Sequence, residues 1–428
     1  MSWQPPARPD WVEAINAGRV APISDEADLP LDRDLLMSEA RARLGIPNGG
    51  VADFCHQDFD ADQLLEPLDR LLPALEQEAE LSVMGRWLSR RFILRMLEVR
   101  LQIIAYLRAD PGVRDEPLPT PLFVAGAPRT GTTILYNLLA KDPAHRVPEG
   151  WELLRPVPPP DPDPALFAAD PRIALADREL RMPQTVVSGL LNIHPYSGRM
   201  PKECLSAMSF TFRSEEFTAR YHVPSFETWL EQCDMTPAYE MHRLVLQILQ
   251  RRWGSCAWVL KSPVHLHSLS TLLDVYPDAR VAITHRDPLV LLASLTSLIA
   301  NLRWAHSDHV DYGQIGQSHA VRYHVSLDRL ARLTEQGALP AENLHHSRYA
   351  QFMSDPMGVV AELYARFGLE LSQGAREAMQ RSLDDSSRGE GSSHDYAFSD
   401  LGLDPVAERA HFRHYQTCFE IPDEKVLR

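Results

Sequence analysis

The spacing of hydrophobic positions changes along the chain, and this change predicts its architecture. Over residues 1–117 apolar side chains recur at helical spacing, most persistently in residues 81–107. Over residues 118–428 short apolar runs alternate with helical stretches. Such alternation is typical of a parallel sheet flanked by helices. We therefore predict an α/β fold in which a helical N-terminal extension precedes the domain that contains the sheet.

Three short apolar runs are predicted as strands of that sheet. Each is followed by apolar residues at helical spacing, and the runs cover residues 122–125, 258–261 and 279–285. Ligands of parallel sheets bind at the carboxyl ends of the strands. Arg129, Lys261 and Arg286 fall at those ends, so we expect them to share one site.

The chain between the first and second predicted strands is expected to cover that site. Four prolines within residues 149–160 predict a fixed, extended surface segment. Residues from about 161 to 254 form a predicted helical cap insertion over the mouth of the site, by analogy with related folds.

The turn after the first predicted strand has the pattern of an anion-binding loop. Gly126 and Gly131 are separated by four residues, which lets successive backbone N–H groups face inward at a helix N-terminus. The pattern nearly matches the nucleotide loop G-x-x-x-x-G-K-[ST], but Thr132 replaces the lysine that reaches the β- and γ-phosphates. Arg129 lies inside the loop instead. The loop therefore suits one compact anion better than a nucleoside triphosphate, and a glycine turn without a ligand is the alternative.

The segment Gly126-Ala-Pro-Arg-Thr-Gly-Thr-Thr133 resembles the 5′-phosphosulfate loop, P-R-[ST]-G-T-T, of sulfotransferases that use 3′-phosphoadenosine 5′-phosphosulfate (PAPS). The resemblance is to bacterial sulfotransferase-like proteins related to the tyrosylprotein sulfotransferases. It extends weakly over most of the chain. It implies a P-loop-like parallel sheet, a PAPS-binding domain over residues 118–428, PAPS as co-substrate and no metal. The loop residues that it implies for donor binding are Arg129, Thr130, Gly131, Thr132 and Thr133.

Two later segments are similar to further donor-binding elements of the same family. Arg286 and Ser294 have the spacing of the 3′-phosphate element R-D-x6-S, in which a guanidinium and a hydroxyl meet one phosphate. Asp287 is predicted as the N-cap of the helix that carries Ser294. Tyr349 lies in a segment similar to the family's late strand and helix, where a tyrosine contacts adenine. A core tyrosine is the alternative for Tyr349.

The resemblance also implies which residues carry out the transfer. Lys261 matches the lysine of the K-x-P motif, which faces the transferring sulfuryl group, and Arg129 supplies a second cation. For the base we favour Glu152, because a glutamate between an aromatic residue and a run of prolines is positioned rigidly and partly desolvated. Glu149 and His265 are the alternatives. Glu203 and His194, in the predicted cap, are weaker candidates for acceptor contacts.

Composition narrows the classes of partner and compartment. The net charge of −15 disfavours a protein that binds nucleic acid through a generally basic surface. The five cysteines are scattered without a C-x-x-C pair, which fits a reducing compartment. No stretch is long and apolar enough to cross a bilayer, and no signal sequence is recognisable at the N-terminus. We therefore predict a cytoplasmic protein, with peripheral membrane contact and oligomeric state left open.

The combined expectation is a sulfotransferase that moves the sulfuryl group of PAPS to a hydroxyl of a small, apolar acceptor. A lipid, a steroid, a phenol and a secondary metabolite are the acceptor classes considered. The apolar acceptor is inferred from aromatic residues of the predicted cap, which could equally be core: Phe210, Phe212, Phe217, Tyr221, Phe226 and Trp229. The alternatives are a P-loop kinase or other NTPase, and a catalytically silent protein that binds 3′,5′-ADP (PAP).

Overall fold

A parallel four-stranded sheet forms the centre of the molecule. The computed structural model describes residues 3–46, 48–187, 196–388 and 397–426, so His194 lies outside the described residues. Over these residues the strands are β1 (Leu122–Gly126), β2 (Val259–Lys261), β3 (Arg280–His285) and β4 (Leu344–Arg348). They are ordered β2-β1-β3-β4, and every neighbouring pair is parallel. The predicted α/β fold with a parallel sheet flanked by helices is confirmed.

Helices surround the sheet. Before β1 they are Asp10–Asn16, Arg33–Arg43, Ala61–Gln77 and Val83–Ala109. Between β1 and β2 they are Thr132–Leu139, Gly150–Leu154, Pro164–Ala168, Pro171–Val186, Leu205–Met208, Glu215–Arg220, Pro224–Leu230 and Thr236–Gln250. After β2 they are Leu269–Val275, Pro288–Trp304, Tyr312–Glu335, Tyr349–Ser354, Pro356–Arg366, Gln373–Arg388 and Pro405–Cys418.

The register of the strands brings the predicted site residues to one edge. Val124 of β1 is level with Lys261 of β2, and Gly126 is level with Thr284 of β3. Every residue of β1 is buried, as expected for a strand covered on both faces. The carboxyl ends of these three strands therefore meet where the glycine loop begins.

The N-terminal extension shares one hydrophobic core with the rest of the chain. A single cluster of buried residues runs from Leu31 in the extension to Ile421 near the C-terminus. The fully buried Arg100, in the helix Val83–Ala109, donates hydrogen bonds from Nε to the Phe54 carbonyl (2.9 Å) and from Nη1 to the Phe210 carbonyl (3.0 Å). Because Phe210 belongs to the region between β1 and β2, the extension is packed directly against the predicted cap.

The extended surface segment predicted over residues 149–160 needs correction. Residues Gly150–Leu154 form a buried helical turn instead. The turn is possible because the prolines begin only after it, and because the Glu152 carboxylate accepts a hydrogen bond from the Glu149 backbone N–H at its start. Trp151 within it is fully buried. The first part of the segment therefore belongs to the core.

Candidate active site

The loop between β1 and the helix Thr132–Leu139 depends on two glycines. Gly126 has φ of 141°, and a Cβ there would lie 2.3 Å from Thr284 Oγ1. Gly131 caps the helix with φ of 95°, and Tyr349 packs beside it. Both values of φ lie in the region that favours glycine. The chain can therefore turn tightly at the carboxyl end of β1 and present backbone N–H groups at the start of a helix.

Thr130 shapes this loop from the inside. Its hydroxyl donates to the Ala127 carbonyl at 2.6 Å and lies 2.5 Å from Thr284 Oγ1. Since the single hydroxyl proton of Thr130 goes to the carbonyl, Thr284 is the donor in the second bond. The structure thus places the side chain of Thr130 within the loop, where it holds the turn against β3, and does not bring it to the adjoining cavity.

The loop opens onto a cavity of about 890 Å³. Arg129, Thr132 and Thr133 of the loop line it, together with Lys261 and Ser294. Arg129 and Thr133 are exposed, whereas Thr132 is buried. Apolar side chains from the helices Val83–Ala109 and Pro288–Trp304 form much of the remaining wall, namely Trp87, Leu88, Phe92, Leu295, Leu298, Ile299 and Leu302. A polar loop therefore faces a largely apolar space, as in many small-molecule sites.

Lys261 connects the loop to a carboxylate in this cavity. Its ammonium group donates to Thr133 Oγ1 at 3.2 Å and forms an ion pair with Glu203. Lys261 is 4% exposed, so the ion pair is largely shielded from solvent. Glu203 is only a weak candidate from the sequence, because no spacing in the chain relates it to the loop. The cap must fold back over β2 before the two residues meet.

The structure places Glu152 away from the cavity. Its carboxylate is fully buried, accepts a hydrogen bond from the Glu149 backbone N–H (2.9 Å) and pairs with Arg146 Nη2 at 2.5 Å. Burial raises the pKa of Glu152, although Arg146 opposes the shift. The features expected from the sequence, rigidity and desolvation, are therefore present, but they serve a buried ion pair that does not line the cavity.

The two alternative bases also lie outside the cavity lining. Glu149 accepts a hydrogen bond from Trp151 Nε1 at 2.8 Å, and burial raises its pKa. His265 is fully buried, lies 3.0 Å from the Tyr239 hydroxyl through Nδ1 and packs edge-on against Phe123. Burial lowers the pKa of His265 well below its usual value. Neither residue lines the space that the loop faces.

Arg286 and Tyr349 lie together beside the loop. The guanidinium carbon of Arg286 stands 3.8 Å from the centre of the Tyr349 ring, and Nη1 donates to the Arg129 carbonyl at 3.1 Å. The predicted N-cap is confirmed, since Asp287 accepts from the Leu289 N–H at 2.9 Å. Ser294 lines the cavity, whereas Arg286 does not. Of the two residues of the predicted 3′-phosphate element, Ser294 therefore lies at the cavity and Arg286 lies beside the loop, outside the cavity lining.

The side-chain carboxylate of Glu424, near the C-terminus, also contacts Arg286. No motif in the sequence indicates this contact. Glu424 accepts hydrogen bonds from Arg286 Nε and Nη2, both at 2.9 Å. The Glu424 N–H donates to Asp287 at 2.6 Å, and its carbonyl accepts from Arg409 Nη2 at 2.7 Å. The contact joins residues far apart in the chain, so local spacing gives no signal for it. The guanidinium is therefore held by an anion of the protein itself.

The described residues contain neither a metal-binding cluster nor a membrane-spanning helix. Across them no group of three or more His, Cys, Asp or Glu side chains is arranged to hold a metal ion. No helix in the same part of the chain is both long and apolar enough to cross a bilayer.

The fold and the loop define a class of protein. The chain belongs to the sulfotransferase family, because the model described as "Sulfotransferase family" matches residues 121–373, which include the glycine loop, Glu203, Lys261, Arg286 and Tyr349. The family resemblance expected from the sequence is thereby confirmed.

Particular relatives come from mycobacteria. The chain is 26% identical over 257 residues to the omega-hydroxy-beta-dihydromenaquinone-9 sulfotransferase Stf3 of Mycobacterium bovis, and equally to that of Mycobacterium tuberculosis. The match covers 58% of this chain and 63% of each relative, so it spans less than two thirds of their length.

Two solved structures are similar over nearly the whole chain. Sulfotransferase STF1 from Mycobacterium tuberculosis H37Rv is 30% identical with a TM-score of 0.76, covering 89% of this chain and 98% of STF1. Sulfotransferase STF9 from Mycobacterium avium is 26% identical with a TM-score of 0.79, covering 94% and 99%. Coverage this broad reaches into the helical extension as well as the sheet.

Proposed function

We propose that this protein transfers the sulfuryl group of PAPS to a hydroxyl of a small, apolar acceptor. The observation that carries the proposal is the chain of contacts from the loop through Thr133 and Lys261 to Glu203, inside one mostly apolar cavity. A cation and a carboxylate at an anion-binding loop meet the two demands of group transfer, which are stabilisation of charge and removal of the acceptor's proton.

The residues of the loop fit the sulfated end of PAPS. The left-handed Gly131 starts a helix whose N-terminal amides and partial positive charge favour an anion, and Arg129 adds an exposed cation. Thr132 and Thr133 lie on the cavity side of the loop. Donor binding through these residues supplies an activated sulfuryl group.

We assign the end of PAPS that carries adenine and the 3′-phosphate to residues beside the loop. Arg286 and Ser294 are proposed to bind the 3′-phosphate, and Tyr349 to contact adenine. The stacking of Arg286 on Tyr349 and its bond to the Arg129 carbonyl support this, because they fix the guanidinium against the same loop. Glu424 occupies the side of Arg286 that presents Nε and Nη2, so phosphate binding requires the carboxylate to share or leave that position.

We propose Glu203 as the base in place of Glu152. In the transfer, the acceptor oxygen forms a bond to sulfur, the bond from sulfur to the bridging phosphate oxygen breaks, and the acceptor's proton passes to the Glu203 carboxylate. Lys261 faces both Glu203 and Thr133, so it can stabilise negative charge between the loop and the acceptor. Glu152 and His265 do not line the cavity, which removes the reason to prefer them.

The walls of the cavity support an apolar acceptor. Apart from Ser294, the helix Pro288–Trp304 contributes only apolar side chains to the cavity, namely Leu295, Leu298, Ile299 and Leu302. Burial of apolar acceptor surface against these side chains favours binding. The Stf3 relatives are named as sulfotransferases of omega-hydroxy-beta-dihydromenaquinone-9, which supports a lipid among the acceptor classes.

A ligand-binding measurement tests the proposal. Purified protein is titrated with 3′,5′-ADP, the product left by PAPS, and separately with ATP and magnesium, while the melting temperature is recorded. A ligand that binds the native state raises that temperature by mass action. We expect stabilisation by 3′,5′-ADP and not by ATP with magnesium. The reverse result would contradict the proposal and support the kinase or NTPase alternative, and binding without turnover of any acceptor would support a silent protein.

A further inference from the structure

Lys202, next to Glu203 in the chain, is an unusual residue of the cavity. It lines the cavity and is only 7% exposed. Within the described ranges its ammonium group makes no hydrogen bond or ion pair, and it stands against the ring of Tyr196, 4.4 Å from Nζ to the ring centre. Burial lowers the pKa of Lys202. A buried ammonium normally has an anionic or hydrogen-bonding partner, because desolvation of the charge is costly.

The carboxylates of the cavity are already paired with other cations. Glu203 pairs with Lys261, and the other carboxylates of the described cavity lining pair as Glu98 with Arg43, Glu179 with Arg155, Glu215 with Arg322 and Glu216 with Arg220. Arg95, a further cavity residue, approaches Glu179 only to 3.7 Å. Over the described part of the cavity lining, cations therefore outnumber carboxylates.

The charged groups around Lys202 compensate its charge only in part. Glu216 and Glu203 favour its charged form, whereas Arg220 and Arg95 oppose it. Both oxygens of Glu216 already accept hydrogen bonds, Oε1 from Arg220 at 2.8 Å and Oε2 from Ser209 at 3.0 Å. The ammonium group thus stands among cations and engaged carboxylates, at a cavity wall where a ligand can reach it.

We propose that Lys202 binds an anionic oxygen group of the acceptor, close to the hydroxyl that receives the sulfuryl group. This inference rests on the proposed function and narrows its substrate class to amphiphiles that carry an acidic oxygen group beside the hydroxyl on an apolar body. The two groups must be near each other because Lys202 and Glu203 are consecutive residues that line the same cavity. The anion would serve as the partner of Lys202 and offset the local excess of positive charge.

A matched pair of probes tests the inference without relying on turnover. Binding of 3-hydroxydodecanoate and of 1,3-dodecanediol is measured by calorimetry in the presence of saturating 3′,5′-ADP. The probes differ only in a carboxylate against a hydroxymethyl group. We expect the wild type to bind the carboxylate at least about tenfold more tightly than the diol, because a charge-assisted hydrogen bond is stronger than a neutral one.

Variants of Lys202 assign the preference to this side chain. Lys202→Met should abolish the preference and leave diol affinity within about threefold, whereas Lys202→Arg should retain the preference. Lys141→Met makes the same chemical change at an exposed lysine outside the cavity lining and should behave as the wild type. The inference is overturned if the wild type prefers neither probe, binds neither, or keeps its preference after Lys202→Met.

The same titrations separate this inference from the proposed function. The affinity of every variant for 3′,5′-ADP is measured first. A wild type that binds 3′,5′-ADP but shows no carboxylate preference overturns the role of Lys202 alone. A wild type that does not bind 3′,5′-ADP overturns the proposed donor, and with it the premise of the inference.

Discussion

Glu203 and Glu152 are both held by a cation, but their ion pairs stand in different surroundings. The partner of Glu203, Lys261, also contacts the loop threonine Thr133, and both members of the pair line the cavity. The partner of Glu152, Arg146, is packed against the rings of Trp253 and Trp258, at 4.6 and 4.5 Å from their centres. The first pair faces the cavity, whereas the second is enclosed by packed side chains.

This contrast predicts opposite effects of one chemical change at the two glutamates. Glu203→Gln should lower kcat at least about a hundredfold, because no carboxylate then takes the proton of the substrate hydroxyl. The affinity for 3′,5′-ADP should stay near that of the wild type. Steady-state kinetics with PAPS and a hydroxyl acceptor, together with a 3′,5′-ADP titration, would check this. A Glu203→Gln variant with unchanged kcat would remove Glu203 from the reaction.

Glu152→Gln serves as the matched control. It leaves Arg146 buried without its carboxylate, so we expect the free energy of unfolding to fall by about 3 kcal/mol. The kcat of the folded variant should remain within a fewfold of the wild type. Urea unfolding followed by tryptophan fluorescence gives the first quantity. Loss of turnover in a folded Glu152→Gln variant of normal stability would restore Glu152 as the base.

A second prediction at this scale concerns Arg286. Arg286→Ala should weaken binding of 3′,5′-ADP at least about tenfold but change binding of adenosine 5′-phosphosulfate little, because only the first ligand carries a 3′-phosphate. Calorimetric titration with both nucleotides measures the difference. Glu424→Gln keeps the guanidinium and removes the competing charge, so it should bind 3′,5′-ADP at least as well as the wild type. Equal losses for the two nucleotides in Arg286→Ala would place the 3′-phosphate elsewhere.

At the scale of the element, β1, β2, β3 and the loop could be predicted from the sequence because their determinants are local, whereas β4 has no apolar run to indicate it. An apolar run and two glycines at fixed spacing specify β1 and the turn, and Asp287 followed by Pro288 specifies a helix start. The helical turn Gly150–Leu154 could not be predicted, because the prolines that follow it indicate an extended segment. The short apolar run before them gives too weak a helical signal to compete. Local signals therefore suffice where a single pattern dominates the segment.

The site itself was only partly predictable. Arg129, Thr132, Thr133, Lys261 and Ser294 are brought together at the cavity because the ends of parallel strands meet at one edge. The position of Glu203 depends instead on how the cap folds back over β2, and hydrophobic spacing carries no information about that path. For the same reason neither the contact of Glu424 with Arg286 nor the position of Glu152 outside the cavity lining could be foreseen.

A prediction at the scale of the element concerns the loop after β1. Gly126→Ala should lower the free energy of unfolding by about 3 kcal/mol or more and weaken 3′,5′-ADP binding, because the new Cβ would clash with Thr284. Gly337→Ala is the control, since Gly337 has φ of 61° with nothing within 4 Å of an added Cβ. It should cost only about 1 kcal/mol. Similar losses in urea unfolding for both variants would show that the contact with Thr284 does not constrain the loop.

At the scale of the whole molecule, histidines buried in several elements give the fold a common response to acid. Burial lowers the pKa of each in the folded state, to about 3 for His242 and His306 and to about 4 for His267 and His319. An unfolded histidine has a pKa of about 6.5. Below that pH the unfolded chain therefore binds protons that the folded chain does not, and stability is lost as the pH falls.

We accordingly predict that the free energy of unfolding falls by about 4 kcal/mol or more between pH of about 7.5 and pH of about 5.5, since each such group contributes up to about 1.4 kcal/mol per pH unit. Urea unfolding at several pH values measures the slope. His242→Gln should make the slope shallower by one titrating group, whatever its effect on stability at neutral pH. A stability that does not change over this range would mean that these histidines are protonated in the fold.

The cavity also joins two stretches of chain, one inside and one outside the region that matches the family. That region begins at residue 121 and contains the loop, whereas Trp87, Leu88 and Phe92 in the cavity wall precede it. Under the proposed function, the donor-binding loop and part of the acceptor wall therefore belong to different stretches of the chain. Substitutions along one face of the helix Val83–Ala109 would then open new sulfation substrates while the inherited donor chemistry is preserved.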